Sequence, residues 1–254
     1  MKSINDRLQA GEILKGAVVN ICHPTMIELL GAAGADFLFV DFEHGLRGLG
    51  DIAQGLIAAD VRRTPALVRL GERSANLVAR MLDGGAAGFL FPHVETAEEA
   101  AELVSWCRYQ PAGIRGSGFA RASLGHPGSE FDRRQQANQD VTCIMIVESL
   151  KGKANLRGIL EVDGVTGVAI GPGDLSMELG ISDWKDPRVT ALLDEMSETV
   201  RSFPGRALLR LALTPEDAGP LAAGGANMIL LSHDVALVGQ MYKSLFAAID
   251  ANLP

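Results

Sequence analysis

Phe37-Leu38-Phe39-Val40-Asp41-Phe42-Glu43-His44-Gly45 carries an apolar run straight into two carboxylates, an imidazole and a glycine. A short, unbroken apolar run reads as a strand buried on both faces, the habit of parallel sheets. In α/β proteins the chemistry gathers at the carboxyl ends of such strands, which is where Asp41, Glu43 and His44 fall.

The same grammar repeats in both directions. Upstream, a helical opening (Ile4 to Ala10) precedes a strand over Gly16 to Ile21, which Cys22-His23-Pro24 ends because proline cannot continue a central strand. Helical spacing over Thr25 to Ala33 leads back to the quoted strand. Downstream, a helix over Gly48 to Ala59 is followed by strand Pro65 to Arg69, a helix over Ser74 to Leu82 and strand Gly88 to His93. Thr96 reads as the N-cap of a helix with an acidic first turn, Glu98-Glu99, reaching about Cys107. One long stretch, Gln110 to Gln139, reads as irregular. Strands then return at Cys143 to Glu148, Val165 to Ile170, Ala207 to Ala212 and Met228 to Leu231, before a final helix near the C-terminus. About eight strands alternating with helices in 254 residues predict a single-domain (β/α)8 TIM barrel over residues 1–254. A doubly wound sheet is the rival, but no glycine fingerprint follows the first strand.

Composition agrees. Hydrophobic residues make up 47% of the chain and charged residues 21%, enough for a large core. The net charge of −8 argues against nucleic acid or an anionic membrane as partner. Cys22, Cys107 and Cys143, odd in number and far apart, fit reduced thiols. With no signal-like N-terminus and no run of ~20 apolar residues, the expectation is a cytoplasmic protein binding a small molecule.

A barrel brings its strand ends to one mouth. Glu148 and Asp174 end neighbouring strands, so two carboxylates fall side by side. They repel unless a proton or cation lies between them, and oxygen ligands favour a hard divalent cation such as Mg²⁺ or Mn²⁺. The rival reading has Asp174 merely capping a helix that begins at Leu175. Gly171-Pro172-Gly173-Asp174-Leu175-Ser176 also offers backbone amides to a carboxylate or phosphate. Arg69 stands where a guanidinium has no packing reason to be; it suits enolate stabilisation or a structural ion pair. His44, with Asp41 or Asp83 as orienting carboxylate, is the candidate general base.

Taken together, Asp41-Phe42-Glu43-His44-Gly45, Val68-Arg69, Pro111-Ala112-Gly113-Ile114-Arg115-Gly116, Val147-Glu148-Ser149 and Gly171 to Ser176 resemble the HpcH/HpaI aldolase/citrate lyase family, specifically its metal-dependent pyruvate aldolases. The resemblance implies a (β/α)8 barrel that cleaves 4-hydroxy-2-oxo acids to pyruvate and an aldehyde with Mg²⁺, Mn²⁺ or Co²⁺. It implies Glu148 and Asp174 as metal ligands, Arg69 on the keto oxygen, and the amides of Gly173 and Asp174 on the carboxylate. It further implies His44 as base, acting through water with support from Asp41 and Asp83, and a hexamer built as a trimer of dimers with the C-terminal helix exchanged between subunits.

Departures stand beside the likeness. Ile146 replaces a glutamine common in relatives, and His23, His93 and His233 occupy strand ends where small or neutral residues are usual. These histidines are candidates for aldehyde recognition or for a shifted metal preference; Glu43 either holds water near the metal or braces its loop. Two alternatives remain: a citrate- or malyl-CoA-type lyase, for which no basic groove is evident, and a non-catalytic keto-acid-binding barrel.

Overall fold

The apolar runs form eight parallel strands in a computed structural model that describes residues 2–45, 47–124 and 127–253. They are β1 (Leu14–Val19), β2 (Phe37–Asp41), β3 (Ala66–Arg69), β4 (Gly88–Phe91), β5 (Thr142–Val147), β6 (Gly167–Ile170), β7 (Ala207–Ala212) and β8 (Met228–His233). Each pairs with the next, and β8 closes the barrel against β1. Inward-facing Phe37, Phe39, Leu67, Leu90, Ile144, Ile146 and Leu209 fill the barrel, whereas Val40, Val68, Phe89, Phe91, Val147 and Ile170 face the helices. This alternation is why the strands read as unbroken apolar runs: both faces are buried. Glycine is required where the wall is tightest. At Gly88 (φ +156°) an added Cβ would meet the Thr142 carbonyl oxygen at 2.0 Å.

The outer layer contains α2 (Pro24–Ala32), α3 (Leu49–Val61), α4 (Ala75–Gly84), α5 (Ala97–Cys107), α6 (Glu130–Asp140), α7 (Leu150–Ala154), α8 (Leu156–Glu161), α9 (Pro172–Glu178), α10 (Pro187–Arg201) and α11 (Ala218–Ala223). The short α1 (Ile4–Gln9) plugs the end away from the mouth, burying Ile4 in the barrel interior. The Asn5 amide there donates to the carbonyls of Gln139 and Val141.

Two sequence expectations need correction. The stretch Gln110 to Gln139 is not irregular throughout: α6 occupies its end, opened by a capping box between Ser129 and Asp132. Its sequence EFDRRQQANQD buries only Asn138, so it has no apolar stripe for periodicity to detect. Helix α9 begins at Pro172 rather than Leu175, which puts Asp174 inside its first turn and leaves Gly171 as the capping residue.

The last helix, α12 (Asp234–Asp250), behaves unlike the others. Only Asp234 is buried and only Val238 is half-buried, while Met241, Tyr242, Leu245, Phe246 and Ile249 are each at least half exposed.

Candidate active site

The mouth is assembled from strand ends at matched heights. Asp41 and Arg69 are register partners across β2 and β3, so their side chains meet. Arg69 donates from Nε to Asp41 Oδ1 at 3.0 Å and from Nη2 to Oδ2 at 2.8 Å, a two-point clamp. Below it, the guanidinium lies 5.3 Å from the centre of the Phe39 ring. Its Nε also lies 3.1 Å from Glu43 Oε2, and Nη1 has no carboxylate partner among the described residues, leaving that edge open to a ligand.

Asp41 is fully buried, and burial alone pushes its carboxyl up. Arg69, helped by the backbone N–H groups of His44 and Glu43, more than reverses this and holds Asp41 below the usual carboxylate range. Its role therefore differs from the expected one. Asp41 does not touch the His44 ring; it accepts the backbone N–H groups of Glu43 at 3.1 Å and His44 at 3.3 Å, and so shapes the loop that presents them.

Glu43, the ambiguous member of the sequence reading, is the link. Its Oε2 lies 3.4 Å from His44 Nε2 and its Oε1 lies 3.4 Å from His93 Nε2. His93 then reaches Glu148, with Nδ1 at 3.0 Å and its own backbone N–H donating at 2.9 Å, both to Oε1. His93 makes this double contact from φ +55°, a left-handed conformation that side chains rarely adopt. Arg69, Glu43, His93 and Glu148 thus form one connected line across four strands.

Burial raises the Glu148 carboxyl to about 7; the adjoining Asp174 carboxylate adds to the rise, and the N–H and ring of His93 oppose it. Gly171 makes room: a Cβ there would meet Glu148 Oε2 at 2.7 Å. No group of three or more His, Cys, Asp or Glu side chains among the described residues is placed to hold a metal ion. Glu148 and Asp174 are the adjoining carboxylates that the mouth offers to a cation. Two crowded carboxylates with the remaining positions open to water or substrate fit a hard divalent cation.

A family model described as HpcH/HpaI aldolase/citrate lyase matches residues 16–240. The chain belongs to the HpcH/HpaI aldolase/citrate lyase family. It is 35% identical over 241 residues to a hydroxypyruvate/pyruvate aldolase of Roseovarius nubinhibens, covering 94% of this chain and 93% of that protein. It is also 35% identical over 234 residues to a 2-keto-3-deoxy-L-rhamnonate aldolase of Klebsiella pneumoniae, covering 92% and 87%. The crystal structure of an HpcH/HpaI aldolase from Desulfitobacterium hafniense superposes with a TM-score of 0.93 at 28% identity, covering 100% of this chain and 98% of that one.

Within this HpcH/HpaI barrel the remaining candidates separate. Gly173 and Asp174 open α9, with their N–H groups in its first turn. Ile146 lies in the barrel interior, as an apolar floor beneath Glu148. His23 caps α2, its Nδ1 accepting from the Thr25 N–H at 3.2 Å. Asp83 is not at the mouth at all. It lies in the last turn of α4, about 12 Å of helix from its start after β3, and binds Arg115 Nη2 at 2.8 Å. Within one chain it cannot support His44.

Asn20 was missed. It follows β1, donates from Nδ2 to Asp41 Oδ2 at 3.0 Å and meets His233 Nδ1 through Oδ1 at 2.8 Å. Buried Asp234 fixes it by accepting the N–H groups of Asn20 and Ile21, each at 2.9 Å. An uncharged strand-end asparagine carries no signal that sequence alone would pick out.

Proposed function

We propose that residues 1–254 form one catalytic domain, a divalent-metal-dependent aldolase that reversibly cleaves a 4-hydroxy-2-oxo acid to pyruvate and an aldehyde. The observation carrying this reading is the convergence of Arg69, Glu43, His93 and Glu148, with Asp174 beside them, at one mouth. The relatives named as pyruvate-type aldolases support it. Glu148 and Asp174 would hold Mg²⁺, Mn²⁺ or Co²⁺, which when bound supplies Lewis-acid polarisation of a keto oxygen.

The rest falls to the chain's own groups. The N–H groups of Gly173 and Asp174 hold the substrate carboxylate. His44 accepts, through water, the proton of the C4 hydroxyl. As that hydroxyl becomes the aldehyde carbonyl, the C3–C4 bond breaks and its electron pair passes to the pyruvate enolate. The open Nη1 edge of Arg69 donates to the enolate oxygen, and return of the His44 proton through water to C3 completes pyruvate. Arg69 is already clamped by Asp41 and Glu43, so little reorganisation is needed when charge develops.

The test is deuterium exchange at the methyl of pyruvate after chelation, with Mg²⁺, Mn²⁺ or Co²⁺ restored in turn. Exchange with at least one ion is expected; none with any of them overturns the aldolase reading.

Met241, Tyr242, Leu245, Phe246 and Ile249 of α12 are each at least half exposed, an apolar side of the kind that marks an interaction surface. We assign it to a second copy of this chain, in keeping with the exchanged helix that the resemblance implies. Charging it with Met241→Glu and Phe246→Glu is expected to lower the mass measured by light scattering; an unchanged mass removes α12 from the interface. A cytoplasmic location accords with three free, buried cysteines. No helix among the described residues is long and apolar enough to cross a membrane.

A further inference from the structure

The β1–β8 seam contains an irregularity with a consequence at the mouth. Leu14, Lys15, Gly16 and Ala17 pair in step with Met228, Ile229, Leu230 and Leu231, but Val18 pairs with His233. Ser232 is therefore an extra residue on β8, a bulge. In unbroken register His233 would fall on the outward row with Ile229 and Leu231. The bulge moves it into line with Val18, whose row fills the barrel interior, so the imidazole stands at the mouth.

The ring's protonation pattern is settled by its neighbours. Asp41, clamped by Arg69 as a carboxylate, can only accept. The Asn20 group facing it must be the NH₂, which turns the Asn20 carbonyl oxygen toward His233. That oxygen can only accept, so His233 Nδ1 carries the hydrogen. In the neutral ring Nε2 is then the acceptor, and among the described residues it has no hydrogen-bond or ion-pair partner.

Position says what Nε2 would meet. In the reading above, groups from β3, β5 and β6 hold the pyruvate half and His44, which follows β2, faces the C4 hydroxyl, so the aldehyde half falls toward β2 and its neighbours β1 and β8. We propose that His233, held in its Nδ1–H tautomer by Asn20, is a specificity residue whose Nε2 accepts a hydrogen bond from a hydroxyl beside the carbonyl of the aldehyde. The preferred acceptors are thus hydroxyaldehydes. This rests on the aldolase reading above.

The experiment compares kcat/KM for pyruvate addition to glycolaldehyde and to acetaldehyde, which differ by that one hydroxyl. The wild type is expected to favour glycolaldehyde, and His233→Phe, which keeps ring volume but has no acceptor, to lose about tenfold of that preference. His233→Gln, which restores an acceptor of similar reach, is expected to recover part of it. A purely structural His233 would lower both aldehydes together in both variants. An unchanged ratio in His233→Phe, or no wild-type preference, overturns the proposal. Methyl exchange of pyruvate without aldehyde separates the two readings, because it needs neither glycolaldehyde nor acetaldehyde.

Discussion

Arg69→Ala is expected to lower kcat for aldol cleavage by about 10²- to 10³-fold, the usual loss when a donor to a developing oxyanion is removed. It should also weaken the fold. Asp41 is fully buried and loses its bidentate partner, while Glu43 loses the cation it faces. Removing one member of a buried ion pair typically costs about 3–5 kcal/mol, partly recovered if the stranded carboxyl takes up a proton. The activity loss must therefore be measured on protein shown to be folded. Arg69→Lys provides the control. A lysine ammonium can approach Asp41 but cannot make the two-point clamp and still present an open edge to substrate. Arg69→Lys should thus regain most of the thermal stability and little of the activity. If kcat returns together with stability, Arg69 is a structural ion pair and not the group that stabilises the enolate.

The contrast between Arg69 and Asp83 shows what the sequence could and could not tell. A buried parallel strand leaves one unmistakable mark, an apolar run broken by polar residues at its carboxyl end. Asp41, Arg69 and Glu148 were placed by that mark alone. Asp83 is a carboxylate in a helix, and both the residue reading and the resemblance put it at the same site. Yet the helix after a barrel strand runs back toward the opposite face, so its last turn cannot lie at the mouth within that chain. Asn20 and the bulge at Ser232 left no trace, since neither a neutral amide nor a one-residue shift in register disturbs the hydrophobic pattern. His93 was legible as a strand-end residue, but its grip on Glu148 depends on a left-handed backbone that no local residue preference announces. Helix α6 escaped for the converse reason, being regular structure without an apolar stripe.

Glu148→Gln tests the metal half of the site through stability as well as activity. Without a metal, burial pushes the Glu148 carboxyl up to about 7, against 4.5 for the same group unperturbed. Between those values the folded protein keeps a proton that the unfolded chain has already lost. Unfolding free energy therefore falls as pH rises from about 4.5 to about 7 and levels off above. Glutamine has no proton to lose, and its amide oxygen can still accept the His93 N–H. Metal-free Glu148→Gln should match the wild type near pH 4.5 and exceed it by roughly 3 kcal/mol at pH 8. Mg²⁺ reverses the order. Binding only to the folded wild type, it adds about 4.1 kcal/mol at a thousandfold excess over Kd, whereas the variant, left with Asp174 alone, gains little. Thermal melts at pH 4.5 and pH 8, each with chelator and with Mg²⁺, read all of this in one series. Equal stabilisation of both proteins by Mg²⁺ would remove Glu148 as a ligand, whatever happened to turnover. A crossing of the two curves on adding Mg²⁺ at pH 8, together with lost turnover in the variant, is the result expected if one buried carboxylate both destabilises the metal-free barrel and anchors its metal.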